Sequence, residues 1–236
     1  MRRSQQCSTA YTQTSRAHDA GPPRAAVEFA YVANQVPNNF SAYAINASTG
    51  ALTQVTGSPF AAGYRPRPVV IDPTGKFAYV VNGGSISGKH SGNVSAYAIN
   101  ARTGALTQVK GSPLHAGRGP SAAAVDPAGE FAYVTDYEDD PYSISRILVY
   151  AINLRSGALT QVKGSRSRAG SGPDSLMIDR HGKFAYVVNY YSSDVSAYAI
   201  NATTGGLTQM EGSPFGAGTD ARGVAIDPSG KFAYVP

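Results

Sequence analysis

The chain has 236 residues, of which 42% are hydrophobic and 15% are charged, and its formal net charge is +5. This composition fits a single globular domain with a full core and many tight turns. No apolar run approaches the roughly 18 residues that a membrane span needs. No Lys/Arg run reaches the blocks of about five that suggest nucleic-acid binding, so we expect neither a membrane nor a nucleic-acid partner.

The first 28 residues form a polar leader that we expect to be disordered. The leader starts with two arginines but lacks the apolar segment of a secretory signal. A cytoplasmic location is therefore favoured, and export would require an incomplete N-terminus. Cys7 is the only cysteine in the chain, so the fold does not depend on disulfides.

Residues 29–236 are built from a sequence repeat. A phrase of the type SAYAINASTGALTQV and another of the type VVIDPTGK recur with a period of about 50 residues. Periods of about 20–50 residues are typical of solenoids, propellers and other repeat arrays. The phrase FAYV marks the repeats and begins at Phe29, Phe77, Phe131, Phe184 and Phe232.

Each repeat contains four strand candidates, which we label a to d in chain order. Strand a is of the VVID type and strand b of the FAYVVN type, and a Pro-x-Gly turn joins them. Strand c, SAYAIN, alternates large and small residues, and strand d, ALTQV, follows a Thr-Gly or Ser-Gly turn. The sequence therefore predicts an all-β fold, a β-propeller of four-stranded antiparallel blades with almost no helix.

The repeats amount to about four blades, and the sequence leaves their closure open. One possibility is a closed four-bladed ring, in which strand a at 224–227 joins strands b, c and d at 29–55. Another is a fragment of a larger propeller, which is favoured because the chain stops inside a strand at Pro236. The third is a ring assembled between chains, so the oligomeric state is not predicted.

The variable loops are predicted to carry the function. In a propeller the d–a and b–c connections open on one face, which we call the loop face, and the a–b and c–d turns open on the other. The a–b and c–d turns hardly change between repeats, whereas the b–c loops range from NYYSSDV to NGGSISGKHSGNV. Loops held on a rigid scaffold are the usual place for binding residues.

The loop face is richer in Arg than in Lys, which suits bidentate binding of a carboxylate or phosphate. Its tyrosines are candidate contacts to a partner, because Tyr combines a large contact area with a hydrogen bond. The alternatives are solvated loop charges and ordinary surface tyrosines. The tyrosines in question are Tyr137, Tyr142, Tyr190 and Tyr191.

No metal and no cofactor are expected. The acidic run Glu138-Asp139-Asp140 lacks the alternating spacing of calcium loops, and the four histidines show no paired metal spacing.

The phrases FAYVVN, DPTGKFAYV and NNFSAYAINASTGALT resemble the YVTN-type repeats of the lactonase-like β-propeller family, which includes phosphogluconolactonases. The resemblance covers residues 29–236. It implies a propeller, usually of seven blades, and hydrolysis of an anionic sugar lactone of the 6-phosphogluconolactone type.

The catalytic motifs of this family are not matched. Its enzymes carry Pro-His-x-His in one d–a junction, where this chain has Pro120-Ser121-Ala122-Ala123. They carry Gly-Pro-Arg-His in a later junction, where this chain has Gly172-Pro173-Asp174-Ser175. Tyr190 replaces the glutamate that ends strand b in those enzymes, whereas Asp136 is in register with an Asp-containing b–c region of the family.

Two functions fit these residues. The first is a lactone hydrolase in which an arginine holds the substrate's anionic group and His115 acts as acid and base. The second is a non-catalytic propeller that binds a small anion or a protein partner at the loop face. The candidate catalytic residues are His115 and Arg118, and the candidate ligand-binding residues are Arg67, Arg118, Arg222, Asp136 and Tyr190.

Overall fold

The computed structural model describes residues 28–85, 90–137 and 145–236, together with the backbone of a short strand at Tyr11–Thr12. All regular secondary structure in these ranges is β-strand, so the all-β prediction is confirmed. The acidic run at 138–140, and Tyr142 with it, lie outside the described residues. The leader, which the sequence predicts to be disordered, contributes the strand at Tyr11–Thr12.

The strands form four five-stranded sheets in chain order and one two-stranded sheet at the C-terminal end. The first sheet comprises β1 (Tyr11–Thr12), β2 (Glu28–Asn34), β3 (Asn39–Ile45), β4 (Leu52–Gln54) and β5 (Phe60–Ala61). The second comprises β6 (Pro66–Ile71), β7 (Phe77–Asn82), β8 (Asn93–Ile99), β9 (Leu106–Gln108) and β10 (Leu114–His115). The third comprises β11 (Pro120–Val125), β12 (Phe131–Asp136), β13 (Arg146–Ile152), β14 (Leu159–Gln161) and β15 (Ser167–Arg168). The fourth comprises β16 (Pro173–Ile178), β17 (Phe184–Asn189), β18 (Asp194–Ile200), β19 (Leu207–Gln209) and β20 (Phe215–Gly216), and the last pair is β21 (Ala225–Ile226) with β22 (Ala233–Tyr234).

All sheets are antiparallel. The second, third and fourth follow the predicted order a, b, c, d, with one refinement, whereas β1 takes the place of strand a in the first sheet and the last pair contains strands a and b only. Strand d is split into two pieces, and both pair with strand c. In the third sheet, β14 pairs with the end of β13 at Tyr150–Ile152, and β15 pairs with its start at 146–147. The turn between the two pieces contains the repeated Gly-Ser sequence, whose glycine at 164 has a φ of 77°.

The strand exchange that a closed four-bladed ring would need, one of the three possibilities left open by the sequence, is not formed among the described residues. Strand β21 pairs with β22 rather than with the first sheet, and β1 occupies the place beside β2. The hairpin of β21 and β22 is closed locally, because the Asp227 carboxylate accepts hydrogen bonds from the backbone N–H groups of Lys231 and Phe232. A short loop of this kind is closed at a lower entropic cost than a contact between the chain ends.

The a–b turns owe their shape to the aspartate that precedes Pro-x-Gly. The Asp72 carboxylate accepts a hydrogen bond of 2.7 Å from the Phe77 N–H, and Gly75 adopts a φ of 69° that an L-residue resists. Asp126 and Asp179 make the same contact to Phe131 and Phe184. These three aspartates are buried, so their place in the repeat is structural.

Neighbouring sheets pack face to face, and buried tyrosines fasten them together. Strand β11 of the third sheet lies against β6 of the second sheet and against β16 of the fourth. The Tyr31 hydroxyl of the first sheet donates to the Gly104 carbonyl of the second at 3.0 Å, and Tyr79 donates to Gly157 of the third at 3.2 Å. A second set of hydroxyls bridges in the opposite direction, from Tyr97 to Ala61, from Tyr150 to His115 and from Tyr198 to Arg168.

Tyr79 and Tyr133 occupy the same position in successive repeats but differ in their hydrogen bonding. The Tyr133 hydroxyl is buried and has no hydrogen-bond partner among the described residues, whereas Tyr79 reaches Gly157. We expect Tyr79→Phe to lower the free energy of unfolding by about 1 kcal/mol, because a hydrogen bond is lost. Tyr133→Phe removes an unpaired buried hydroxyl and should leave stability unchanged or raise it. Urea denaturation of both variants checks this, and an equal loss in both would contradict it.

The buried tyrosines also predict a loss of stability at alkaline pH. Burial raises the pKa of Tyr31, Tyr79, Tyr133 and Tyr150 well above the ordinary value of 10.0. Because the pKa is higher in the folded state, the stabilisation is complete below pH 10 and is lost as the pH rises above it. We expect tyrosinate absorbance to rise together with unfolding above about pH 10. Titration of all tyrosines at pH 10 without loss of circular dichroism would contradict this.

Candidate functional site

The loop face is defined by the strand ends. Pro66 at the start of β6 pairs with Asn82 at the end of β7, and Asn82 pairs with Asn93 at the start of β8. The b–c and d–a loops therefore leave each sheet at the same edge, as the sequence predicts. The Asn-x-x-x-Gly turns, such as 153–157, lie at the opposite edge.

The second residue of strand a occupies an equivalent place in each repeat. We call these four positions the inner row: Arg67 on β6, Ser121 on β11, Asp174 on β16 and Arg222 before β21. Members from adjacent sheets lie close together. The Ser121 hydroxyl donates to the Pro173 carbonyl at 2.5 Å, and an Arg222 nitrogen lies 3.8 Å from an Asp174 oxygen.

Ser121 serves packing between sheets rather than chemistry. Its hydroxyl is buried, and besides Pro173 it lies 2.8 Å from the hydroxyl of Thr135. A hydroxyl held by two such partners is not available as a nucleophile to a ligand on the loop face.

Arg222 is the more exposed of the two arginines in the inner row. Its side chain is 55% exposed, and its guanidinium carbon lies 4.2 Å from the centre of the Tyr190 ring. Stacking on the ring orients the planar guanidinium. The Asp220 carboxylate interacts with the Tyr190 hydroxyl and raises its pKa above 10.0.

Three tyrosines form a cluster beside Arg222, which we call the tyrosine cluster. The ring centres of Tyr190 and Tyr191 are 5.0 Å apart and nearly perpendicular, and those of Tyr191 and Tyr137 are 5.8 Å apart. The loop is fixed by backbone hydrogen bonds, because the Tyr190 N–H donates to the Gly172 carbonyl and the Tyr191 N–H to Ser171. The cluster thus joins the third and fourth sheets at the loop face.

Arg67 lies at the other end of the inner row. It is half-buried on β6, next to Gly83, where an added Cβ would come within 2.8 Å of the Arg67 Nε. The Tyr64 ring nearby in sequence stacks on His90 with a centre separation of 4.5 Å. A side chain at position 83 would therefore require the Arg67 side chain to move.

His115 is not brought together with the inner row. It lies on β10, and β8 and β7 separate β10 from β6. Three strand spacings of about 4.8 Å place it about 14 Å from β6. Its side chain is exposed, and its carbonyl accepts the Tyr150 hydroxyl. Arg118 lies on the following loop and is also exposed, with its carbonyl close to Gly84.

Asp136 is buried, and it shapes a loop. Its carboxylate accepts a hydrogen bond of 2.9 Å from the Gly119 N–H, and a Cβ at Gly117 would come within 2.0 Å of it. In the preceding repeat Asn82 has the same role, because its side-chain oxygen accepts the Gly63 N–H at 3.0 Å. This role could have been inferred from the sequence, because a polar residue recurs at the end of strand b, directly after the buried part of the strand.

No group of three or more His, Cys, Asp or Glu side chains in the described ranges is placed to hold a metal ion. Within the same ranges, no helix is long and apolar enough to cross a membrane.

The stacked antiparallel sheets define the class of protein: the fold is a β-propeller. The chain matches the family model described as "Lactonase, 7-bladed beta-propeller" over residues 3–120 and 115–236. It therefore belongs to the lactonase family of seven-bladed β-propellers.

Individual relatives agree with this family. A 6-phosphogluconolactonase of Formosa agariphila is 28% identical over 144 residues, which cover 56% of this chain and 35% of that protein. A 6-phosphogluconolactonase of Bacillus subtilis is 27% identical over 158 residues, which cover 66% of this chain and 43% of that protein. The chain thus spans less than half the length of both curated relatives.

Solved structures show the same fold at low sequence identity. The periplasmic gluconolactonase of Pseudomonas aeruginosa aligns with a TM-score of 0.67 at 17% identity, covering 86% of this chain and 59% of that one. A protein of unknown function from Desulfotomaculum acetoxidans aligns with a TM-score of 0.70 at 16% identity, covering 88% of this chain and 59% of that one.

Proposed function

We propose that the loop face binds an anionic sugar lactone, of the 6-phosphogluconolactone type, and hydrolyses it. The observation that carries this proposal is the exposed Arg222 guanidinium, stacked on Tyr190 and close to Asp174, in a chain of the lactonase family. Two relatives named as 6-phosphogluconolactonases support the substrate class.

We also propose that the four sheets and the terminal hairpin are part of a seven-bladed ring. Support comes from the family, whose propellers have seven blades, and from the similar structures, of which the chain covers 59% in two cases. A closed ring of four sheets has no support from the strand pairing, because the first and last sheets do not share a strand.

Hydrolysis requires that water add to the lactone carbonyl carbon and that the ring C–O bond break. Arg222 would hold the anionic substituent by charge-assisted hydrogen bonds. Asp174 is the inner-row carboxylate beside it, and its side chain is 27% exposed. It would accept the proton of the attacking water and return that proton to the departing ring oxygen.

The rate of 6-phosphogluconolactone hydrolysis with the chain present, compared with the spontaneous rate, tests this proposal. We expect an accelerated rate, and a lower kcat in Asp174→Asn. If kcat falls in His115→Ala and not in Asp174→Asn, the acid–base group is His115, as the sequence suggests. Hydrolysis at the spontaneous rate would favour the alternative, a loop face that binds a small anion or a protein partner without catalysis.

A further inference from the structure

We propose that Tyr191 is a stacking platform for a sugar ring, and that Arg222 next to it receives the phosphate or carboxylate of the same molecule. The inference rests on the proposed function and makes it specific: the fourth sheet and the segment that follows it form a subsite for a hexose-type ring with an anionic substituent. Free phosphate and free sugar would each satisfy only half of this subsite.

The Tyr191 ring is exposed but held in place. It is 63% exposed. It nevertheless packs on Gly172, where an added Cβ would come within 2.3 Å of the ring, and it contacts the rings of Tyr137 and Tyr190. An aromatic surface that is already ordered binds a ligand at a lower entropic cost than a mobile one.

Gly172 makes this arrangement possible. Its φ is 68°, a conformation that glycine adopts without strain, and its lack of a side chain lets the ring lie against the backbone. Tyr137 begins the b–c loop of the third sheet. Its ring lies beside that of Tyr191, and the two ring planes are inclined by 32°. The exposed surface is therefore built by two sheets.

The platform and the cation are spaced for one small molecule. The Tyr191 centre is 5.0 Å from the Tyr190 centre, which is 4.2 Å from the Arg222 guanidinium carbon, so the platform and the cation lie within about 9 Å of each other. A hexose ring with a phosphate on its exocyclic carbon fits within this limit.

The neighbouring carboxylates favour a sugar over a plain anion. Asp174 lies 3.8 Å from the Arg222 guanidinium, and Asp220 interacts with Tyr190. These carboxylates repel a bare anion, but they accept hydrogen bonds from the hydroxyl groups of a sugar. An aromatic face, one guanidinium and two carboxylates together match a polyhydroxylated ring with a single anionic group.

Calorimetric titration with glucose 6-phosphate tests the subsite, because this sugar phosphate keeps a closed ring where the lactone would hydrolyse. We expect Tyr191→Ala to weaken its binding about tenfold and Tyr191→Phe to retain it. Tyr64→Ala, which removes another exposed tyrosine of the loop face, is the matched control and should bind as the wild type. Arg222→Ala should weaken both glucose 6-phosphate and inorganic phosphate.

Inorganic phosphate separates the ring contribution from the charge contribution. Its affinity should not change in Tyr191→Ala, because the platform contacts only the ring. Equal losses for both ligands in Tyr191→Ala, or wild-type glucose 6-phosphate binding by that variant, would overturn the proposal. A chain that binds glucose 6-phosphate with this pattern but does not accelerate lactone hydrolysis would disprove the proposed catalysis and leave the subsite standing.

Discussion

Gly157→Ala will destabilise the protein by about 2 kcal/mol more than Gly50→Ala, although the two glycines occupy the same place in their repeats. Each ends the c–d turn of its sheet, and each has a φ of 70°. An alanine at either position therefore incurs the same backbone strain, about 1–2 kcal/mol. The difference between them is what the new methyl group would meet.

At Gly157 the added Cβ would lie 2.2 Å from the Phe77 ring of the preceding sheet, whereas at Gly50 nothing lies within 4 Å. Phe77 is buried, so its ring cannot simply turn into solvent. The sheets must then move apart, and the hydrogen bond from the Tyr79 hydroxyl to the Gly157 carbonyl is weakened with them.

Thermal and urea denaturation of the two variants measure this difference. Equal destabilisation would show that the turn conformation alone explains why glycine recurs at this position of the repeat. A larger loss in Gly50→Ala would contradict the described packing between the second and third sheets.

Arg222→Ala will lower kcat/KM for 6-phosphogluconolactone by about 10- to 100-fold, as expected for the loss of hydrogen bonds to a charged group. The variant also leaves Asp174 and Asp220 without the nearby positive charge, so the anionic substrate meets net repulsion. The guanidinium is more than half exposed, and the fold should therefore tolerate its removal.

Arg155→Ala is the matched control. Arg155 is an exposed arginine in the turn at 153–157, at the edge of the sheet opposite the loop face, and its loss changes the net charge by the same amount. We expect wild-type activity from this control. A comparable loss in both variants would show that overall charge, and not a site at Arg222, attracts the substrate.

Much of the fold could be predicted from the repeat. The b and c strands are fixed by alternating apolar residues and by turn chemistry, both of which are local, and the structure places them as expected. The split of strand d could not be predicted, because both pieces are short and their pairing depends on the partner strand. The pairing of β21 with β22 is the a–b hairpin that the repeat predicts, whereas the pairing of β1 with β2 was missed because the first 28 residues contain no repeat phrase.

The candidate site was only partly predictable from the sequence. Arg67, Arg222 and Tyr190 lie on the loop face, as loop position indicates. The contact between Arg222 and Tyr190 joins residues of different repeats and has no local signal. His115 is separated from them because strand d is the outer strand of its sheet. Asp136 is turned inward by the two glycines around Arg118, a contact that sequence spacing does not reveal.

Hydrogen–deuterium exchange with and without glucose 6-phosphate tests most directly whether the loop face is the binding surface. We expect protection at 170–174, 190–193 and 217–224, and unchanged exchange in the turns at 46–50, 100–104, 153–157 and 201–205. Protection in those turns instead, or no protection at a saturating concentration, would contradict a ligand site on the loop face.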